Sequence, residues 1–141
     1  MNNPMVVEVI VPLPVQDVWM LCTTEEGLTR WWWPQFDDTT YSIDPRPLHT
    51  YRFVSRQAGI GVHGDYIVVE KYVALEFSWV WEDDGPGTSD HVRVTLTPVP
   101  SGTRVRVTHT MVEPSQAGHD DYRRGWAENL RRLSDLAVMA A

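Results

Sequence analysis

The chain has 141 residues, 43% of them hydrophobic and 22% charged, the size and balance of one folded domain that buries about 68% of its unfolded-chain surface. Twelve basic residues against 19 acidic ones give a net charge of −7, the wrong sign for gripping nucleic acid by its phosphates. A single cysteine, Cys22, removes any disulfide framework or Cys-rich metal site, and no apolar run approaches the roughly 18 residues of a membrane span. The opening MNNPMVVEVIV has no basic residue before Arg30 and carries Glu8 in its apolar stretch, which argues against a signal peptide and for a cytoplasmic protein. Within it, Val7, Val9 and Val11 alternate with Glu8, so Met5–Val11 reads as a half-buried strand. Pro12 and Pro14 end that strand, and Pro14 suits a first helical turn. Val15, Val18, Trp19 and Cys22 then share one helix face. A second short helix is expected to open at Thr23, whose spacing to Glu26 is that of a capping box. It continues through Leu28, Trp31 and Trp32 and closes at Pro34.

From about Thr39 to Met111 the helical period gives way to alternation. Tyr41 and Ile43 alternate with polar neighbours, Tyr51 and Phe53 with Thr50 and Arg52, and Leu75, Phe77, Trp79 and Trp81 with Glu76, Ser78 and Glu82. Val92, Val94 and Leu96 follow, and then Val105, Val107, His109 and Met111. Turn signals at Asp44-Pro45, Gly59 to Gly64, Asp84-Gly85-Pro86-Gly87 and Pro100-Ser101-Gly102 separate the runs, so the expectation is an antiparallel meander. The last segment, about Ser115 to Met139, is one long helix. Its apolar stripe holds Tyr122, Trp126, Asn129, Leu130, Leu133, Leu136 and Ala137, and the pairs Asp120/Arg124 and Glu128/Arg132 fall on the opposite side. With no repeat and no linker, residues 1–141 form a single α+β domain: a strand, two short helices, about six strands and a long helix.

Several residue clusters resemble the Aha-type domains, homologues of the activator of a heat-shock chaperone ATPase, within the START-like (SRPBCC) superfamily. They are Pro14-Val15-Gln16-Asp17-Val18-Trp19, the stretch from Thr24 through Trp31-Trp32 to Pro34, Asp44-Pro45-Arg46-Pro47 before Tyr51-Arg52-Phe53, Leu75-Glu76-Phe77-Ser78-Trp79, and Gly125-Trp126 with Leu130 and Leu133. The resemblance covers about Val6 to Leu136 and implies a helix-grip fold, a curved antiparallel sheet of six or seven strands wrapped around the C-terminal helix with a cavity between them. Three positions depart from the family pattern. Trp33 and Leu48-His49 stand where glycines are usual, and Val68 stands where many members carry a carboxylate.

Gly59-Ile60-Gly61-Val62-His63-Gly64 spells a dinucleotide fingerprint. Asp65-Tyr66-Ile67-Val68-Val69 after it reads as a strand, where such a fingerprint needs a helix, so the reading is a glycine-rich hairpin loop. Five histidines lack metal-ligand spacing, so no metal and no cofactor is expected. Cys22 reads as a small buried hydrophobe. The leading expectation is non-catalytic binding of a small hydrophobic, aromatic ligand between sheet and helix. Trp33, Phe53, Trp79, Trp81 and Trp126 would be its walls, and His109, Tyr51 and Asn129, with His49 as a companion, its polar groups. Alternatives are a cyclase or dehydratase using His109 as acid/base, and a chaperone-associated interaction module. A homodimer is compatible with all three.

Overall fold

The computed structural model describes residues 4–83 and 89–140, with side chains as far as Leu136. Chain order is β1 (Met5–Val11), α1 (Val15–Thr23), α2 (Glu25–Leu28), β2 (Thr40–Ile43), β3 (Thr50–Ser55), β4 (Ile60–Glu70), β5 (Ala74–Trp81), β6 (Asp90–Val99), β7 (Gly102–Thr110) and α3 (Gln116–Ala140). All seven strands join one antiparallel sheet in the order β1-β7-β6-β5-β4-β3-β2. Short connections make each strand from β2 to β7 pair with its successor. The remaining link, β1 to β7, brings the N-terminal strand beside the last one, with Val7 opposite Val107. The expected turn at Asp84-Gly85-Pro86-Gly87 lies outside the described residues, as does the side chain of Ala137. Among the described residues no helix is long and apolar enough to cross a membrane.

The period-2 pattern decides which way each strand faces. In β7, Thr103, Val105, Val107 and His109 are buried while Arg104 and Arg106 are exposed. The outer face carries cross-strand ion pairs: Arg106 to Glu8 at 2.7 Å, His91 and Arg93 to Glu76, His63 and Arg52 to Glu82. Such exposed pairs set register more than stability. The inner face packs against α3, which buries Trp126, Asn129, Leu130 and Leu133. Along the free edge of β1, the Arg123 guanidinium and the Ser134 hydroxyl donate to the carbonyls of Val6 and Ile10, covering an edge that would otherwise offer itself to another strand.

Four local expectations need correction. The cap of α2 is Thr24, whose Oγ1 accepts from the Gly27 N–H at 2.9 Å; the Thr23 hydroxyl instead donates back to the Trp19 carbonyl and finishes α1. Second, α2 ends at Leu28, well before Pro34, and the tryptophans that follow lie in turns. Third, most of the glycine-rich segment is strand. A Cβ on Gly64 would stand 2.0 Å from the Ser78 carbonyl oxygen and one on Gly61 2.5 Å from the Glu82 side chain, so these glycines let β4 run close against β5. Fourth, on α3 Arg124 pairs with Asp121 (3.6 Å), not with Asp120, whose carboxylate accepts from Gln116.

Trp33 and Leu48 both have left-handed backbone, φ 50° and 71°, at the positions where the family pattern has glycine. A residue with a Cβ holds this conformation at a cost of about 1–2 kcal/mol. Leu48 is 90% exposed and gains nothing in packing. Leu48→Gly should therefore raise stability by about 0.5–1 kcal/mol once the looser unfolded chain is counted, read as a shift of the urea midpoint. An unchanged or lower midpoint would contradict the strain.

Candidate functional site

The concave side of the sheet is lined with aromatic rings, and Trp32 stands in the middle of them. Its ring lies 5.1 Å from Trp126, 5.2 Å from Phe53, 5.6 Å from Trp31, 5.7 Å from Trp33 and 5.9 Å from Trp79, centroid to centroid. Local structure holds it there. The Trp31 indole N–H donates to the Leu21 carbonyl at 2.8 Å, and the Tyr41 hydroxyl donates to the Trp32 carbonyl. Filled in this way, the space between sheet and helix keeps only an apolar cavity of about 50 Å³, bordered by Tyr51, Phe53, Tyr66 and Cys22. That is well below the roughly 150 Å³ of a cavity that accepts benzene. Burial pushes the Cys22 thiol up to about 12 and so keeps it protonated.

Open volume lies on the other side of Trp32. A cleft of about 450 Å³ runs between the Trp33 turn, the end of β5 and one face of α3, within the roughly 300–1,000 Å³ usual for small-molecule sites. Trp33 and Trp81 stack at 6.4 Å with their planes 10° apart, and Tyr122 continues the stack beyond Trp81 at 6.3 Å and 15°. Across from them α3 presents Gly125, where an added Cβ would meet nothing within 4 Å. A glycine in mid-helix weakens the helix by roughly 1 kcal/mol; here it leaves the cleft floor open. Trp32 and Trp126 border both spaces and form the partition between them.

Behind this wall sits a closed polar network. His109 has no exposure at all. Its Nδ1 accepts from the Trp126 indole N–H at 3.1 Å, so the ring proton stands on Nε2, which donates to Asp90 at 2.8 Å. The Asp90 carboxylate also accepts from the Val112 N–H at 2.9 Å and from the Tyr122 hydroxyl, which in turn accepts from the Trp81 indole N–H at 2.8 Å. Burial alone would raise the Asp90 carboxyl, but these donors outweigh it and hold the group below its ordinary value. The His109 ring lies 3.9 Å from Tyr122, nearly parallel to it.

The eight residues expected to hold a ligand thus divide. Trp33, Trp79, Trp81, Trp126 and Asn129 border the cleft, whereas Tyr51 and Phe53 border the small inner cavity, and Tyr51 is spent on the Ser78 carbonyl at 2.6 Å. His109 borders neither space, and both its nitrogens are engaged within the protein. His49 lies outside altogether, exposed beside Asp44 at 3.1 Å. Sequence reasoning passed over Trp32, Asp90 and Gly125, and placed Glu128 and Arg132 on the far side of α3 although both border the cleft. Parity along β6, where Asp90 shares a face with Val92 and Val94, was the available signal for a buried carboxylate. Among the described residues no group of three or more His, Cys, Asp or Glu side chains could hold a metal ion.

Solved structures share this fold. Protein MLL2253 from Mesorhizobium loti superposes with a TM-score of 0.83 at 20% identity, over 99% of both chains. DynU16, a putative protein in the dynemicin biosynthetic locus, gives 0.81 at 23%, over 96% of this chain and 47% of that one. The Aha1 dimer from Colwellia psychrerythraea gives 0.79 at 17%, over 94% of both. At these identities the likeness establishes architecture alone: a curved antiparallel sheet packed around a long C-terminal helix. No curated protein matches the sequence. The model of the family described as "Activator of Hsp90 ATPase homolog 1-like protein" does match, over residues 12–137, so the chain belongs to that family.

Proposed function

We propose that this protein binds a small, flat, aromatic molecule in the cleft beside Trp33 and Trp81, and that it does so without catalysing a reaction on it. The observation that carries this is the cleft itself, about 450 Å³ walled by stacked indoles and floored by a glycine. Aromatic walls favour a ring-bearing occupant, because offset and edge-to-face contacts add about 0.5–1.5 kcal/mol per ring pair beyond area burial. The support for a non-catalytic role is His109: a general base needs a nitrogen within reach of substrate, and both of its nitrogens are bonded to Trp126 and Asp90. For a homodimer, the support is the dimer of the Colwellia protein.

The test uses fluorene as an apolar aromatic probe. Binding should quench tryptophan fluorescence and, at a hundredfold excess over Kd, stabilise the fold by about 2.7 kcal/mol. Trp81→Ala should weaken the probe by about 1–2 kcal/mol through lost area and ring contact. Gly125→Ala should leave binding intact while strengthening α3 by about 0.5–1 kcal/mol. Gly125→Phe, also a better helix former than glycine, should fill the cleft and abolish binding. Fluorene that binds the Gly125→Phe protein as well as the parent would remove the cleft as its site.

A further inference from the structure

We infer that the molecule held in the cleft carries a hydrogen-bond acceptor such as a ring carbonyl, and that the Asn129 carboxamide is the donor that recognises it. This deepens the proposal above and rests on the cleft being an aromatic-binding site. Asn129 is one of few polar side chains in the core, 5% exposed, and the cleft is the open space it borders. A carboxamide buried to that degree needs partners for an oxygen and for two N–H groups. The oxygen has one: Arg132 donates from Nη1 to Oδ1 at 2.9 Å. That bond fixes which end of the amide is which, because a guanidinium can only donate.

The Nδ2 amino group therefore points away from Arg132, and it has no partner among the described residues. Nor is it one of the donors sealed off from open space, which among the described residues are the indole nitrogens of Trp32 and Trp79. Arg132 is held in turn near Glu128, 4.0 Å away and one helical turn back. The arrangement is a donor with its orientation fixed from behind, at the margin of a greasy slot. Such a donor discriminates strongly, because a ligand without an acceptor displaces its water and leaves the N–H groups unpaired. Charge points the same way. Asp121 and Glu128 border the cleft with Arg132, so a neutral carbonyl meets less repulsion there than a carboxylate.

The experiment compares fluorene with 9-fluorenone, the same planar skeleton with one carbonyl added. The parent protein should bind 9-fluorenone about 3–10-fold more tightly, the range a single net hydrogen bond supplies. In Asn129→Leu the difference should vanish, because fluorene gains the affinity that the unpaired N–H groups had cost it and 9-fluorenone loses its donor. Asn129→Asp keeps an oxygen for Arg132 but turns the donor into an acceptor. That variant should now prefer 9-fluorenol, which can donate, over 9-fluorenone. Equal affinity of the parent for fluorene and fluorenone overturns this inference and leaves the binding site standing. A fluorenone preference that survives both variants overturns it as well, and assigns the donor to an indole of the wall. If the parent binds none of the three compounds, the binding proposal fails first.

Discussion

Asp90→Ala should lower the unfolding free energy by about 3–5 kcal/mol, the loss seen when one partner of a buried charged network is removed. The carboxylate answers three donors, His109 Nε2–H, the Val112 N–H and the Tyr122 hydroxyl. Each is left unpaired by the alanine, and His109 is wholly sealed from water. Asp90→Asn should not rescue much. Whichever way its amide turns, the amino end faces a donor, either His109 Nε2–H or the Val112 N–H. Moving the imidazole proton to Nδ1 would set it against the Trp126 indole N–H. We expect a loss of about 2–3 kcal/mol for the asparagine, more than an isosteric change at a surface carboxylate would give. A loss under about 1 kcal/mol for either variant would mean that the network is not closed as described.

The same carboxylate sets an acid limit on the fold. Its pKa in the folded protein lies below the ordinary value near 3.8. A depressed folded value means that the ionised form stabilises the native state above the unfolded pKa, and that this stabilisation is lost as pH falls through the folded one. Stability should thus be flat with respect to this group near neutrality and decline below about pH 4. In Asp90→Asn that portion of the decline should be missing. Urea midpoints taken at neutral pH and at stepped acid values would show it as a shallower slope.

Much of the fold was written in short-range pattern, and the places where pattern failed share a cause. Alternation located six of the seven strands, and Met5–Val11 fell where its valines put it; the first half of β4 was hidden by glycines that read as a loop. The stripe on α3 likewise named Trp126, Leu130 and Leu133 before any partner was known. Boundaries went astray where two adjacent residues can do the same job: Thr23 and Thr24 are both able to cap, and only the backbone at Thr24, extended at ψ 148°, decides. The site was half legible for a different reason. Parity along β7 put His109 on the concave side, correctly, but said nothing of Asp90, 19 residues earlier on the neighbouring strand, or of the indole of Trp126. A lone histidine reads as available; one between two fixed partners is a structural group. The cleft was displaced from the expected cavity because volume is a property of the whole packed set. No local rule shows that Trp32, four residues past a helix that ended early at Leu28, turns into the concavity and fills it.

Trp32→Ala should therefore have two effects, and only their combination supports the role given to this residue. The first is a loss of about 3–5 kcal/mol, the usual cost of truncating a large buried aromatic. Trp32 is 3% exposed and touches five other rings. The second is a change of shape. Trp32 and Trp126 separate a cavity of about 50 Å³ from a cleft of about 450 Å³, so removing the indole joins them into one pocket reaching under the sheet. Fluorene should then bind the variant more tightly than the parent and, at one fixed fluorene concentration, stabilise it by more. Leu133→Ala is the control. Leu133 is fully buried and borders neither the cavity nor the cleft, so its truncation should cost about 2–5 kcal/mol without widening either space. Fluorene should stabilise that variant no more than it stabilises the parent. Equal stabilisation of both variants at that concentration would mean that the space opened by removing Trp32 adds nothing to the probe's site. A Trp32→Ala protein that loses stability but gains no affinity would mean that the neighbouring rings collapse into the space, and that the partition is not what keeps the inner cavity closed.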